Sequence, residues 1–149
     1  MIRNFDELLA AATAIKGKRV VVVYPNNVET LTAVLQARER GLASFILVGD
    51  EEIIGNSMVE AGGTLEGITV IHEPSIHSAL KRSIELVRDG MGEILLKGGV
   101  DTSTMMKTVL QEESGLRTGR LLSDIFIMEY PARLENKFVM ITDGGMTLA

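Results

Sequence analysis

The chain has 149 residues, of which 46% are hydrophobic and 23% are charged, and it contains no cysteine. That length suits one domain with a core of its own, and the missing cysteines exclude a disulfide scaffold or a Cys-ligated metal site. The formal net charge of -5 argues against a nucleic-acid binder, because such proteins present a basic face. Asp6 and Glu7 interrupt the first apolar stretch, which therefore resembles neither a secretory signal nor a transit peptide. No stretch has the roughly 18 uncharged apolar residues of a membrane span, so we expect a cytoplasmic protein without a membrane or nucleic-acid partner.

Helical spacings of apolar residues alternate with β-branched runs along the chain. Predicted helices begin behind Asn4, Asn26–Asn27, Asp50, Ser75 and the glycines that follow Lys97. Predicted strands cover residues 19–24, 45–48, 68–71, 93–96, 125–128 and 138–142. The alternation predicts right-handed βαβ units, and the last two strands, with no helix between them, predict an antiparallel hairpin. The sequence therefore predicts one three-layer α/β/α domain with a mostly parallel sheet.

The strongest candidate for a ligand site is the segment LKGGVDTST at residues 96–104. It joins a strand predicted to be buried to a helix N-terminus, where open α/β sheets place their ligands. Gly98 and Gly99 allow close approach to the backbone, and Lys97 is a donor suited to phosphate or carboxylate. The same segment carries three hydroxyl donors, Thr102, Ser103 and Thr104. The residues alone leave a second interpretation open, in which Thr102 or Ser103 only caps the helix and the glycines only turn the chain.

A second candidate is the loop GLRTGR at residues 115–120. Arg117 and Arg120 can bind phosphate through paired planar donors, or they can belong to a solvated basic turn after an acidic helix end. Asp143 follows the last predicted strand and precedes two glycines. It is either a catalytic carboxylate or an Asp that accepts backbone N–H bonds in its own turn. His72 and His77 lack a carboxylate partner at ligand spacing, so no metal site is predicted.

The string LLKGGVDTSTMMKTVLQEESGLRTGRLLSD at 95–124, followed by ITDGGM at 141–146, resembles the phosphate acetyl/butyryltransferase family, and its phosphate butyryltransferase branch more closely. The positions that carry this resemblance are Lys97-Gly98, Val100 with Thr102 and Thr104, the loop 115–120, and Thr142-Asp143. The opening residues and the stretch 46–50 extend the resemblance over the whole chain. It implies an isocitrate/isopropylmalate-dehydrogenase-like fold of two domains, of which residues 1–149 are the N-terminal one and the C-terminal one is absent.

The resemblance also implies an activity, the reversible conversion of acyl-CoA and phosphate into acyl phosphate and CoA. CoA is then a substrate, no cofactor is tightly bound, and the enzyme is a homodimer. The phosphate-binding residues implied are Lys97, Gly98, Thr102, Ser103, Thr104, Arg117 and Arg120, with Lys107 and Ser123 close to them in the motifs. Because the family's base toward the CoA thiol lies in its second half, we expect these residues alone to be inactive, with Asp143 as the candidate base if they are not.

The chain departs from the family pattern at several of these positions. Gly99 replaces the usual Leu or Ala, and Asp101 stands where Asn or His is common. Lys107 replaces Arg, Asp124 replaces a frequent His, and Gly144-Gly145 replaces an Ala-rich pair. Two additional acids beside a phosphate site disfavour anion binding. These departures keep an alternative open, a stand-alone or degenerate α/β module that binds a small anion or nucleotide without catalysis.

Overall fold

The computed structural model describes residues 1–112, 116–120, 122–130 and 137–144, so residues 113–115, 121, 145 and 146 of the motifs above lie outside the described residues. The helices in these ranges are α1 (Phe5–Ala14), α2 (Val28–Glu39), α3 (Glu51–Glu60), α4 (Ile76–Arg88) and α5 (Thr102–Val109). The strands are β1 (Arg19–Val23), β2 (Ser44–Gly49), β3 (Thr69–His72), β4 (Ile94–Lys97), β5 (Ile125–Glu129) and β6 (Phe138–Thr142). The predicted order of helices and strands is confirmed, with boundaries that shift by one or two residues.

In the described part of the chain, β1 to β4 form a parallel sheet in the order β3-β2-β1-β4. The chain moves outward from β1 through β2 to β3, and then crosses back over β1 to add β4. The direction of winding therefore changes between β1 and β4, which is where a doubly wound sheet leaves a crevice at the carboxyl ends of its strands.

The run of four valines explains the central place of β1. Val21, Val22 and Val23 have no exposed surface and Val20 is 7% exposed, because helices cover both faces of this strand. Val20 and Val22 pack with α2 and α3, whereas Val21 and Val23 pack with α4 on the other face. The predicted α/β/α layering is thus confirmed.

The cap of α5 differs from the sequence prediction. Asp101, rather than Thr102 or Ser103, is the N-cap residue, and its carboxylate accepts the backbone N–H of Thr104 at 2.8 Å. An ionised carboxylate is a stronger acceptor than a hydroxyl, and it also complements the positive end of the helix dipole. Likewise Asn27 alone caps α2, through the backbone N–H of Thr30, which leaves the side chain of Asn26 without a capping role.

The prediction that β4 is a buried strand is wrong for this chain. Ile94 and Leu96 are 47% and 39% exposed, although their register partners on β1, Val20 and Val22, are buried. Among the strands described here β4 lies at the end of the sheet, and its residues on the α2 side are not part of the apolar core that α2 and α3 form against β1. An apolar run predicts burial from side-chain type alone, whereas burial also requires a helix to cover the strand.

Contacts divide the chain into two compact units. The sheet unit comprises Lys16–Thr118, and the hairpin unit comprises Met1–Ile15 with Gly119–Ala149. In the hairpin unit β5 and β6 pair antiparallel, as predicted, with Phe126 opposite Ile141. Helix α1 contributes Phe5, whose ring meets that of Phe138 edge-on at a centroid distance of 5.1 Å. No helix in the described ranges is long and apolar enough to cross a membrane.

Candidate functional site

The candidate site of the sheet unit lies at the carboxyl ends of β1 and β4. Two segments meet there, Tyr24 to Asn27 after β1 and Gly98 to Asp101 after β4. Backbone hydrogen bonds join them, because Gly98 N–H donates to Val23 O at 2.9 Å and Gly99 N–H donates to Tyr24 O at 2.8 Å. The pairing of β1 with β4 thus continues past the ends of both strands, and it fixes the loop that the sequence predicts as a ligand site.

Lys97 is the last residue of β4, and its side chain is exposed at this edge. The ammonium donates to the backbone carbonyl of Val100 at 2.9 Å, so it lies over its own loop instead of extending into solvent. An ammonium group has three donors, and this contact uses one of them. Lys97 therefore combines a defined position with donors that remain available to an anion.

Position 98 requires a glycine because the chain at the end of β1 lies too close to leave room for a side chain. A β-carbon at this position would lie 2.9 Å from Pro25 Cα and 2.9 Å from Tyr24 O. Since both are backbone atoms, no side-chain rotation makes room for it. The space expected to admit a ligand at Gly98 is filled by the end of β1, and the buried N–H of this glycine is bound within the chain.

Asp101 occupies donors that the sequence assigns to phosphate. Its carboxylate accepts the hydroxyl of Ser103 at 2.7 Å and the backbone N–H of Thr104 at 2.8 Å. Hydrogen bonds from the Thr104 side chain, from Ser103 and from the Thr104 backbone hold the pKa of Asp101 far below its usual range. The carboxylate is therefore ionised at neutral pH, and the N-terminus of α5 carries an internal anion.

Other predicted site residues of the sheet unit are dispersed over its surface. Thr102 is exposed at the first position of α5, and Lys107 is exposed in its last turn. Arg117 pairs with Glu112 at 3.4 Å, with side chains that are 52% and 87% exposed. A pair so exposed contributes little to stability, so the guanidinium can exchange this carboxylate for another anion.

Three predicted residues belong to the hairpin unit. Arg120 and Ser123 are exposed, and Asp143 follows β6 with a positive φ of 57°. The backbone N–H of Asp143 donates to the carbonyl of Asp124 at 3.1 Å, across the start of the hairpin. The backbone of Asp143 is thus held at the strand exit, and its exposed carboxylate takes no part in that hydrogen bond.

Sequence reasoning missed the contribution of β1. Tyr24 has a φ of 48°, a left-handed conformation that costs a non-glycine residue roughly 1–3 kcal/mol and is found mainly at functional or tightly constrained sites. This turn brings Pro25 and Asn26 over the glycines after β4, where the carboxamide of Asn26 lies against Gly99. The available signal was YPNN directly after a buried strand, but its relevance depends on β1 and β4 being neighbours.

No group of three or more metal-ligating side chains occurs in the described part of the chain. His72 and His77 are both exposed. The ring of His72 accepts the backbone N–H of Glu51 through Nδ1 at 3.2 Å, which gives it a structural partner at the start of α3.

Comparison with curated proteins identifies relatives of this chain. The chain is 33% identical over 145 residues to a phosphate acetyltransferase of Rhizobium meliloti, an alignment that covers 97% of this chain and 45% of the relative. It is 33% identical over 129 residues to a phosphate butyryltransferase of Clostridium acetobutylicum, covering 87% of this chain and 43% of the relative. The chain is homologous to part of a phosphate acyltransferase. It spans less than half the length of these curated relatives.

Solved structures support this kinship. The chain superposes on a branched-chain phosphotransacylase of Enterococcus faecalis with a TM-score of 0.70 and 25% identity, covering 89% of this chain and 45% of the other. No family model matches the sequence. The predicted resemblance to phosphate acyltransferases is confirmed, and the alternative of a stand-alone anion-binding module is not favoured.

Proposed function

We propose that this chain supplies the N-terminal, phosphate-holding part of an enzyme that moves an acyl group between CoA and inorganic phosphate. The observation that carries the proposal is the similarity of 97% of the chain to part of a phosphate acyltransferase. The position of Lys97 at the β1–β4 crevice supports it, because ligands of open α/β sheets bind at such a crevice.

In this reaction a phosphate oxygen attacks the thioester carbonyl carbon, the carbon–sulfur bond breaks, and CoA leaves as a thiolate that takes up a proton. The enzyme needs no covalent intermediate, so most of the acceleration comes from holding phosphate beside the thioester and from stabilising the oxyanion that forms. CoA enters as a substrate and no tightly bound cofactor takes part. We further propose that the complete enzyme is a homodimer in the cytoplasm.

The residues of the sheet unit have separate roles in this proposal. Lys97 provides the positive charge and Thr102 an exposed hydroxyl, whereas Gly98 lets the end of β1 approach and so fixes the loop that carries them. The Ser103 hydroxyl and the Thr104 N–H both donate to the Asp101 carboxylate. In this proposal they bind phosphate only when those hydrogen bonds to Asp101 are broken. We also propose Arg117 and Arg120 as further phosphate contacts, with Lys107 and Ser123 nearby in sequence. The base toward the CoA thiol is assigned to the second half, and Asp143 takes that role only if the 149 residues alone show turnover.

The test joins this chain to the part of the Clostridium acetobutylicum phosphate butyryltransferase that it does not cover. CoA release from acetyl-, butyryl- and isobutyryl-CoA is then measured with and without phosphate. We expect phosphate-dependent release by the joined protein and none by the 149 residues alone. A joined protein that is folded and dimeric but inactive, beside an active parent enzyme, contradicts the proposal. Turnover by the 149 residues alone contradicts the requirement for a second half.

A further inference from the structure

Gly99 differs from Gly98 in what fills the space beside it. A β-carbon at Gly98 would meet the backbone of β1, whereas one at Gly99 would meet only the carboxamide of Asn26, at its Oδ1, Cγ and Nδ2 atoms. The missing side chain at Gly99 thus makes room for the end of the Asn26 side chain. The two residues are 73 positions apart in the sequence, and they meet because β1 and β4 are adjacent.

Among the residues that the structure describes, Asn26 has no capping role and only a weak hydrogen-bond contact. The helix that follows is capped by Asn27, whose side chain accepts the N–H of Thr30 at 2.9 Å. Asn26 Oδ1 has one long contact, 3.5 Å from Asn27 Nδ2, and Asn26 Nδ2 donates to no acceptor among the residues that the structure describes. The side chain is exposed, so a ligand in the crevice can reach this amide.

Some of the donors at the start of α5 are already occupied. Asp101 holds the Ser103 hydroxyl and the Thr104 N–H, so the start of α5 offers fewer donors to an anion than its sequence indicates. The Lys97 ammonium lies on Val100 O, directly after Gly99 in the same loop. Asn26 and Lys97 thus place an amide donor on the segment after β1 and an ammonium donor on the segment after β4.

We propose that Asn26 is a further ligand-binding residue of this site, with its carboxamide held in the space beside Gly99 and its N–H donated to an oxygen of phosphate or of the acyl phosphate product. This inference rests on the proposed function. It assigns recognition of the phosphoryl group to the end of β1 as well as to the loop after β4. Gly99 then acts as a positioning residue, since its effect on the ligand passes through Asn26.

The test is a double-mutant cycle on the 149-residue chain, with inorganic phosphate and acetyl phosphate titrated by amide NMR shifts. Asn26→Ala removes the donor, and Asn26→Asp keeps the shape but cannot donate. Gly99→Ala displaces the amide at little structural cost, because the atom it meets ends an exposed flexible side chain. Gly55→Ala in α3 is the matched control, since a β-carbon there meets nothing within 4 Å.

We expect Asn26→Ala and Gly99→Ala each to weaken phosphate binding about three- to tenfold, the range that one hydrogen bond supplies. Asn26→Asp weakens it at least as much, Gly55→Ala leaves it unchanged, and the double variant binds no worse than Asn26→Ala alone. Unchanged binding by Asn26→Ala overturns this inference while the proposed function stands. Additive losses in the double variant overturn the role of Gly99, and a wild-type chain that binds neither anion overturns both this inference and the proposed phosphate site.

Discussion

The carboxylate of Asp101 accepts the backbone N–H of Thr104 at 2.8 Å, and so takes the place at the start of α5 where a bound phosphate would be expected. Ser103 adds its hydroxyl to the same oxygen at 2.7 Å. The chain thus carries a negative charge inside its candidate phosphate site, and this charge can be removed without losing the helix cap, because asparagine caps helices about as well as aspartate.

Replacing Asp101 with Asn is expected to raise the affinity for phosphate several-fold, because it removes the repulsion and frees one hydroxyl from a strong acceptor. Titration of the 149-residue chain with phosphate, followed by amide NMR shifts, measures the change. Asp50→Asn is the matched control, since Asp50 caps α3 in the same manner, through the N–H groups of Glu52 and Ile53 at 3.0 Å. Equal affinities for wild type and Asp101→Asn would show that Asp101 does not oppose the anion.

The depressed pKa of Asp101 predicts a specific pH dependence of stability. A carboxyl whose folded pKa lies below its ordinary value of 3.8 stabilises the fold fully above that value. The stabilisation is lost as the pH falls through the folded pKa. We expect the difference in unfolding free energy between wild type and Asp101→Ala to stay constant from neutral pH down to about pH 5 and to shrink below it.

Urea unfolding at a series of pH values measures this difference. Asp101→Asn serves as the control, because asparagine keeps the cap but does not titrate. A difference between wild type and Asp101→Ala that grows as the pH falls would contradict the stated direction of the shift.

The two glycines after β4 are expected to respond differently to alanine. Gly98→Ala forces a β-carbon against the backbone of Tyr24 and Pro25, and we expect it to destabilise the chain by about 1–3 kcal/mol. Gly99→Ala displaces only the exposed amide of Asn26, and we expect a change within about 0.5 kcal/mol. Urea unfolding of both variants gives the comparison, and equal losses would show that the crevice does not have this geometry.

The exposed face of β4 predicts a low cost for truncating Leu96. Leu47 on β2 has no exposed surface and lies in the α2–α3 core, so Leu47→Ala is expected to cost about 2–5 kcal/mol. Leu96 is 39% exposed and lies outside that core, so the same truncation is expected to cost less than about 1.5 kcal/mol. Equal costs for both truncations in the 149-residue chain would contradict the exposure of β4.

The sequence predicts local features of this fold well and relations between distant segments poorly. The four valines of β1 predict a strand buried on both faces, and Asn4 predicts the start of α1, because both depend on nearby residues. Asp101 was missed as the cap of α5 because three capping residue types follow one another there, and local pattern does not rank them. The meeting of Asn26 with Gly99 depends on the strand order, which the sequence does not specify. The exposure of Ile94 and Leu96 depends on which helices cover β4, and the same apolar run is compatible with either outcome.

Lys97 is the proposed phosphate contact at the β1–β4 crevice, and its substitution tests that role. Lys97→Met is introduced into the protein joined to the rest of the Clostridium acetobutylicum relative, and the KM values for phosphate and for butyryl-CoA are measured separately. Lys81→Met is the matched control, since Lys81 is an exposed lysine on α4. The expected result is that Lys97→Met raises the KM for phosphate at least about tenfold, because a charged hydrogen bond is lost, with little change in the KM for butyryl-CoA. An unchanged KM for phosphate, or an equal rise for both substrates, would contradict it.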